Sequence, residues 1–418
     1  MNLVHDTICR RARAAVAHTV HTADGVLTRL VRRERRVLFE AASPLSLAVF
    51  RPVLAQLQRD PRIEFWFTTS DRWWDAEHTF SASGIADRVI TPRQARWMKF
   101  DGYVNTDFWN TTWLSRRTTR IHLFHGVAGK YGLDAPVRIA PVVRSFNRVM
   151  FANADRLRRY VDAGLVEPEG PRAQLIGFPK ADCLVDGTFN RREIQDALGL
   201  DSSLPTVLYA PTWSAHSSLN SIGADLLPAL AGLDVNVIVK LHDRSFDERS
   251  RTEGSIDWKH QLDALCRSWK VHAARDGDIS RYLYVSDVLV TDHSSAGFEF
   301  MLLDRPIVVI DCPQLIRHAR VASDKVELLR DAAIVVKRHS AAAITQAVRR
   351  ALADPSAASA ERRAAAARMF YRPGTATARA VQCIYDALNL RAFAAEGAST
   401  PIIPSPTVLS SSRTAHHV

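Results

Sequence analysis

His125 closes a short apolar run, Arg120–Phe124, and opens a glycine-rich turn, Gly126-Val127-Ala128-Gly129-Lys130. A histidine there stands at the carboxyl edge of a parallel sheet, where open α/β folds bind ligands. Its ordinary pKa, about 6.5, suits general-base work, and Lys130 offers a phosphate a point charge. A strand-end histidine is as often a structural hydrogen-bonder as a catalyst, so the motif needs company. His122, three residues earlier on the same strand, points to the opposite face and forms no metal pair with it.

Three later segments supply that company. Tyr209-Ala210-Pro211-Thr212-Trp213-Ser214 ends a strand at a proline-set turn, offering the Thr212 hydroxyl and the Trp213 indole to a cleft; alone it is a plain strand-end turn. In Lys240-Leu241-His242-Asp243-Arg244, strand alternation sends Lys240 and His242 to one side, with Arg244 just beyond. Such clustered donors suit a pyrophosphate, although a salt-bridged surface edge would read the same. The strand Val288–Thr291 runs into Asp292-His293-Ser294-Ser295, which opens a helix carrying Glu299 one turn in. Ser294 and Ser295, with the N–H groups of the helix start, are candidates for holding an anion, Asp292 is a donor-site candidate beside them, and Glu299 could accept from ribose hydroxyls; the plainer reading is an N-cap with an exposed Glu.

The elements that must position these residues are short, apolar and rich in Val, Ile and aromatics. The first set is Arg36–Ala42, Ile63–Thr69, Arg88–Thr91, Gly102–Asn105, Arg120–Phe124, Arg148–Ala152 and Gln174–Gly177. The second is Thr206–Tyr209, Val235–Leu241, Val288–Thr291, Ile307–Ile310 and Ala333–Val336. Strands of this kind separated by helical stretches predict an α/β fold with parallel sheets covered on both faces. The polar break near Asp186–Pro205 divides the chain into Rossmann-like halves over 36–190 and 205–370. A final helix falls within 371–393, and a Ser/Pro/Thr-rich tail over 394–418 is expected to be disordered. There is no internal repeat.

The 418 residues are 47% apolar and 24% charged, which excludes a wholly disordered or collagen-like chain. No apolar run reaches the ~18 residues that span a bilayer, and no apolar stretch of signal-peptide type follows Arg10, Arg11 and Arg13. A cytoplasmic protein, or one peripheral on the inner face of the cell membrane, is expected. Five scattered cysteines without a C-x-x-C pair read as reduced thiols, not as a zinc ribbon or disulfide framework. The net charge of +11 comes from a chain whose 55 basic residues include only 8 Lys, a bias towards Arg that needs no nucleic acid to explain it. It points weakly to phosphates and lipid headgroups. Residues 1–35 interleave Arg10, Arg11, Arg13, Arg29, Arg32 and Arg33 with Val16, Val20, Leu27, Leu30 and Val31. They read equally as a cationic amphipathic helix on an anionic membrane or as a solvated helix packed on the body.

In order and spacing these segments resemble the CDP-glycerol glycerophosphotransferase family of teichoic-acid primases and polymerases, whose pattern runs H-G-T-P-x-K, G-x-P-R-x-D, Y-A-P-T-W, K-x-H-P and T-D-Y-S-S, then L-D-R-P. Here the matching residues are His125–Lys130, Gly177-Phe178-Pro179-Lys180-Ala181-Asp182, Tyr209–Trp213, Lys240–Asp243, Thr291–Ser295 and Leu303-Asp304-Arg305-Pro306. Tyr371-Arg372-Pro373-Gly374-Thr375-Ala376 is similar to the family's Y-x-D-G-x-A. The resemblance covers roughly 120–390. It implies a GT-B-like fold, two Rossmann-like domains with their parallel sheets facing a central cleft. It also implies transfer of glycerol phosphate from CDP-glycerol to a glycan or lipid-linked acceptor, with release of CMP and no cofactor or metal. His125 would be the general base; His242, Arg244, Ser294 and Ser295 would hold the pyrophosphate, with Lys130, Thr212, Trp213, Lys240, Asp292 and Glu299 completing the donor site.

The sequence departs from the pattern at Val127-Ala128 for Thr-Pro, Lys180 for Arg, Asp243 for Pro and His293 for Tyr. The first change alters the wall facing the acceptor, leaving acceptor and alditol open. Two other readings compete: a GT-B glycosyltransferase or epimerase acting on a nucleotide sugar, and a non-catalytic polyanion- or membrane-binding protein on the same scaffold. Six of the nine Trp (Trp66, Trp73, Trp74, Trp97, Trp109, Trp113) fall in the first third, for core packing or for stacking on a saccharide.

Overall fold

The structure, a computed structural model, describes residues 15–16, 19–26, 34–41, 43–69, 79–80, 85, 88–108, 111–130, 139–246 and 256–393. Most of the basic leader, the tail from 394 onward, and Trp73, Trp74 and Trp109 lie outside them.

Two six-stranded, wholly parallel sheets form the two halves. The first contains β1 (Arg35–Glu40), β2 (Ile63–Thr68), β3 (Gly102–Asn105), β4 (Thr119–Leu123), β5 (Arg148–Phe151) and β6 (Ala173–Leu175), in the order β2-β1-β3-β4-β5-β6. The second contains β7 (Thr206–Tyr209), β8 (Asn236–Val239), β9 (Val271–Ala273), β10 (Val288–Thr291), β11 (Ile307–Ile310) and β12 (Ile334–Val336), in the order β12-β11-β10-β7-β8-β9. Runs such as Val288–Thr291 and Ile307–Ile310 are buried at every residue, as strands covered by helices on both faces must be. The order reverses between β1 and β3 and between β7 and β10, and at such a switch point the loops leaving the carboxyl ends diverge and open a crevice.

Three expectations change. Arg88–Thr91 adds no strand to the sheet, only one bridge from Val89 to Phe67. β9, three residues long with polar His272 at its centre, carries too little apolar pattern to be seen in the sequence. The strand expected over Val235–Leu241 ends at Val239, so Lys240 and His242 sit in the turn after β8 rather than on it.

One apolar cluster runs unbroken from Phe39 and Phe50 of the first half through Ala181 and Leu184 to Leu208, Leu289 and Phe298 of the second. Two more cover the outer faces, and Trp66 and Trp113 pack against one of them while Trp97 is exposed. The chain then returns: helix Ala376–Ala387 lies against helix Pro44–Leu57 of the first half. Asp182 holds that return, accepting from the backbone N–H groups of Gly374 (2.8 Å), Ala376 (3.2 Å) and Thr377 (2.7 Å). Gly177 has φ of 93°, and a Cβ there would lie 2.5 Å from the Tyr371 carbonyl oxygen, so only glycine fits. The Gly177–Asp182 and Tyr371–Ala376 motifs are thus two sides of one joint.

Beside the joint, where the Tyr371 N–H donates to the Ala152 carbonyl, an ionic clasp links the halves. Lys325 and Arg368 reach Asp155 at 2.5 and 3.3 Å, while Arg159 reaches Asp324 at 2.8 Å. Residues 19–26 of the leader are helical and docked, with Asp24 3.0 Å from the Arg36 guanidinium and His21 2.7 Å from the Arg96 carbonyl. Val16, Val20 and Val26 remain exposed. Among the described residues no helix is long and apolar enough to cross a membrane.

Candidate active site

A cleft of about 580 Å³ opens between the halves, lined by the loops that leave the carboxyl ends of both sheets. His125 and Lys130 enter from the first half; Thr212, Trp213, Lys240, His242, Arg244, Ser294, Ser295 and Glu299 enter from the second. Of the sequence candidates only Asp292 is missing from the lining. It is fully buried beneath it, accepting at Oδ1 from the Thr212 N–H (3.0 Å) and hydroxyl (2.6 Å), and at Oδ2 from the N–H and hydroxyl of Ser218 (both 3.1 Å). Asp292 therefore shapes the loop that presents Thr212, with both carboxylate oxygens turned inward.

The two histidines are held in opposite tautomers. His125 Nδ1 lies 3.2 Å from the Thr106 carbonyl oxygen and 3.4 Å from Asp107 Oδ1. A carbonyl can only accept, so Nδ1 carries the hydrogen and Nε2 keeps its lone pair. Burial opposes protonation of this ring, but Asp107 and the Thr106 carbonyl outweigh it, and its pKa is raised. His242 Nδ1 instead accepts from the Arg244 backbone N–H at 3.1 Å, which places its hydrogen on Nε2. Burial, reinforced by Lys240, Arg244 and Lys130, pushes His242 down to about 3, so it is a neutral donor at any physiological pH. One ring is built to take a proton and the other to offer one without becoming charged.

Lys130 crosses the cleft, its Nζ 3.4 Å from Thr212 Oγ1, and burial lowers it to about 8 despite the attraction of Asp292. The Arg244 guanidinium stacks over the Trp213 ring at 5.1 Å. Lys240 donates to the Leu241 carbonyl at 2.8 Å and lies 3.9 Å from Asp243, so its charge is partly spent on its own turn. Ser294 caps helix Ser295–Met301 by accepting from the Ala296 N–H at 3.4 Å. The Ser295 hydroxyl sits beside Gly126, where an added Cβ would lie 3.9 Å from it. Glu299 is not exposed: Lys180 of the first half donates to its Oε2 at 2.5 Å, and the two form a buried bridge in the cleft wall.

The sequence reading missed two groups. Arg156, almost wholly buried, donates to the Gly126 (2.7 Å) and Val127 (3.0 Å) carbonyls and so holds the turn after His125. Asp107 follows β3, the strand beside β4. The strand-end rule that singled out His125 applies equally to Asn105-Thr106-Asp107 and would have found it. His122 points into the core, stacked on Phe108 and bonded through Nδ1 to Asn105 at 3.0 Å.

Residues 101–385 match the model of a family described as CDP-glycerol:poly(glycerophosphate) glycerophosphotransferase. A teichoic acid glycerol-phosphate primase from Bacillus spizizenii is 27% identical over 178 residues, 41% of this chain and 42% of that relative, so the match spans less than half of the relative's length. The wall teichoic acid polymerase TagF superposes with a TM-score of 0.61 at 15% identity, covering 92% of this chain and 96% of that one. A UDP-GlcNAc 2-epimerase from Neisseria meningitidis shares the fold more distantly, with a TM-score of 0.50 at 13% identity over 84% of this chain and 100% of that one. The family model spans well over half of the sequence and every motif that lines the cleft, and the chain belongs to the CDP-glycerol:poly(glycerophosphate) glycerophosphotransferase family.

Proposed function

We propose that this protein transfers glycerol phosphate, or a related alditol phosphate, from CDP-glycerol to a hydroxyl of a glycan or lipid-linked acceptor, releasing CMP in the synthesis of a teichoic-acid-like surface polymer. The observation that carries the reading is the pair of oppositely protonated histidines, one from each half, in a single cleft. Nε2 of His125 takes the acceptor's hydroxyl proton as that oxygen forms a bond to the β-phosphorus. The bond from the β-phosphorus to the bridging oxygen breaks, and its electrons leave on CMP. Nε2–H of His242, with Lys130 and Arg244, faces the negative charge of the pyrophosphate and of the departing phosphate. Phosphoryl transfer asks for little else, since its catalysis is positioning plus electrostatic stabilisation. The reading calls for no cofactor of the protein's own.

The test is incubation of the purified protein with CDP-glycerol and a crude lipid-linked glycan extract, with released CMP as the readout. Release should depend on the extract. It should vanish in His125→Ala while CDP-glycerol binding survives; equal loss of both would remove His125 from the role of base. Release of a nucleoside diphosphate from a nucleotide sugar would instead favour the glycosyltransferase reading. The acceptor's lipid would bring the enzyme to the inner face of the membrane, where the exposed Val16 and Val20 and the basic leader suit an anionic surface. Binding to anionic vesicles should weaken with salt, and salt-independent binding would refute the electrostatic contact.

A further inference from the structure

His125 Nδ1 meets two acceptors of different kinds. The Thr106 carbonyl, 3.2 Å away, is backbone and neutral, and it sets the tautomer whatever side chains surround it. Asp107 Oδ1, 3.4 Å away, adds a charge. Both belong to the two residues that follow β3, and β3 and β4 are in register, with Asn105 opposite His122. The Asn105–His122 hydrogen bond ties the two strand ends together side chain to side chain, and Phe108 stacks on the His122 ring at 3.7 Å between centroids. The carboxylate and the ring are thus carried on adjacent strand ends that are locked level.

We propose that Asp107 is the positioning residue of the base, holding the His125 ring through Nδ1–H and stabilising the imidazolium that forms when Nε2 takes the acceptor's proton. This rests on the reading of His125 as the base. Other charged and titratable groups face the ring from each neighbouring element: Arg156 from helix Ala154–Asp162, His122 from β4 and His242 from across the cleft. Arg156 opposes protonation, while His122 and His242 are held neutral by burial. The Asp107 carboxylate, with the Thr106 carbonyl, is what offsets Arg156 and burial.

Because Thr106 keeps the tautomer, removing the charge of Asp107 should weaken the base without misplacing its hydrogen. A triad carboxylate whose loss leaves the wrong tautomer costs about 10⁴ in kcat. Here Asp107→Asn should cost only about tenfold, because a nearby opposite charge moves a pKa by about one unit or more and each unit is tenfold. The measurement that does not depend on any substrate is an NMR titration of His125 in the full chain, assigned by its disappearance in His125→Gln. Asp107→Asn should lower the His125 pKa by about one unit, and Asp107→Ser, which offers no amide to the ring, should lower it equally. The acid limb of kcat/KM for CMP release should move down by the same amount. An unchanged titration in both variants overturns the proposal, as does a shift in Asp107→Ser alone. A shifted titration in a protein that releases no CMP retains Asp107's hold on the ring and refutes the transferase reading instead.

Discussion

Lys130 gives the sharpest quantitative expectation. Burial lowers it to about 8, so in the free protein about half of the molecules carry an uncharged amine at pH 8 and about a tenth do at pH 7. A pyrophosphate beside Nζ favours the ammonium and should return the group to about 10.5 or above. Donor binding should therefore take up about 0.1 proton at Lys130 at pH 7, about 0.5 at pH 8 and about 0.9 at pH 9. By linkage, affinity falls as pH rises through the lower of the two values, and between pH 7 and pH 9 the loss is about tenfold. Titration calorimetry with CDP-glycerol in buffers of different ionisation enthalpy reads the uptake directly. The His125 pKa is raised as well, by Asp107 and the Thr106 carbonyl, so the decisive quantity is the difference from Lys130→Gln. That variant should lose the pH 8 increment and weaken binding by about 1.5–3 kcal/mol, the contribution of a charge-assisted hydrogen bond. Buffer-independent heats at pH 8, or uptake identical in Lys130→Gln, would refute the placement of Lys130 on the pyrophosphate.

The buried Lys180–Glu299 bridge should behave as a pair: Lys180→Met alone should cost about 3–5 kcal/mol in denaturant unfolding by stranding a buried carboxylate, whereas Lys180→Met with Glu299→Leu should recover most of it. Equal losses in single and double variants would show that the charges are not coupled. Asp155 is held at about 2: burial pushes it up, and Lys325 with its neighbouring cations more than compensates. A depressed carboxyl stabilises the fold above its unfolded pKa, so stability should fall as pH drops from about 4 towards 2. Asp155→Asn should flatten that limb, and an unaltered acid profile would locate the loss elsewhere.

How much of the site could be read from the sequence follows from how local each signal is. A strand that stops shortly before His125 or at Thr291 is written in a few consecutive residues, because the continuous apolar run and the polar residues that end it are neighbours along the chain. Hence eleven of the twelve strands among the described residues were located, both sheets were anticipated as parallel, and ten of the cleft-lining residues were named. β9 was missed because three residues around His272 carry no periodicity. Glu299, Asp292 and Lys180 look on sequence like polar residues near a helix start or turn. What they do depends on Ser218, Thr212 and each other, reached across gaps that no local pattern spans.

The sequence by itself determined the strand ends and their chemistry: two histidines, Lys130, Arg244 and the paired serines, each stationed where a parallel strand stops. Only the tertiary structure decided what state those groups are in. The two imidazoles are alike in type and position, yet the Thr106 carbonyl makes one a proton acceptor and the Arg244 amide makes the other a donor. A tautomer is set by a partner within hydrogen-bond reach, and a pKa by burial and the charges facing it. For His125 those are Thr106 and Asp107, nineteen and eighteen residues earlier in the chain but one strand away in the sheet.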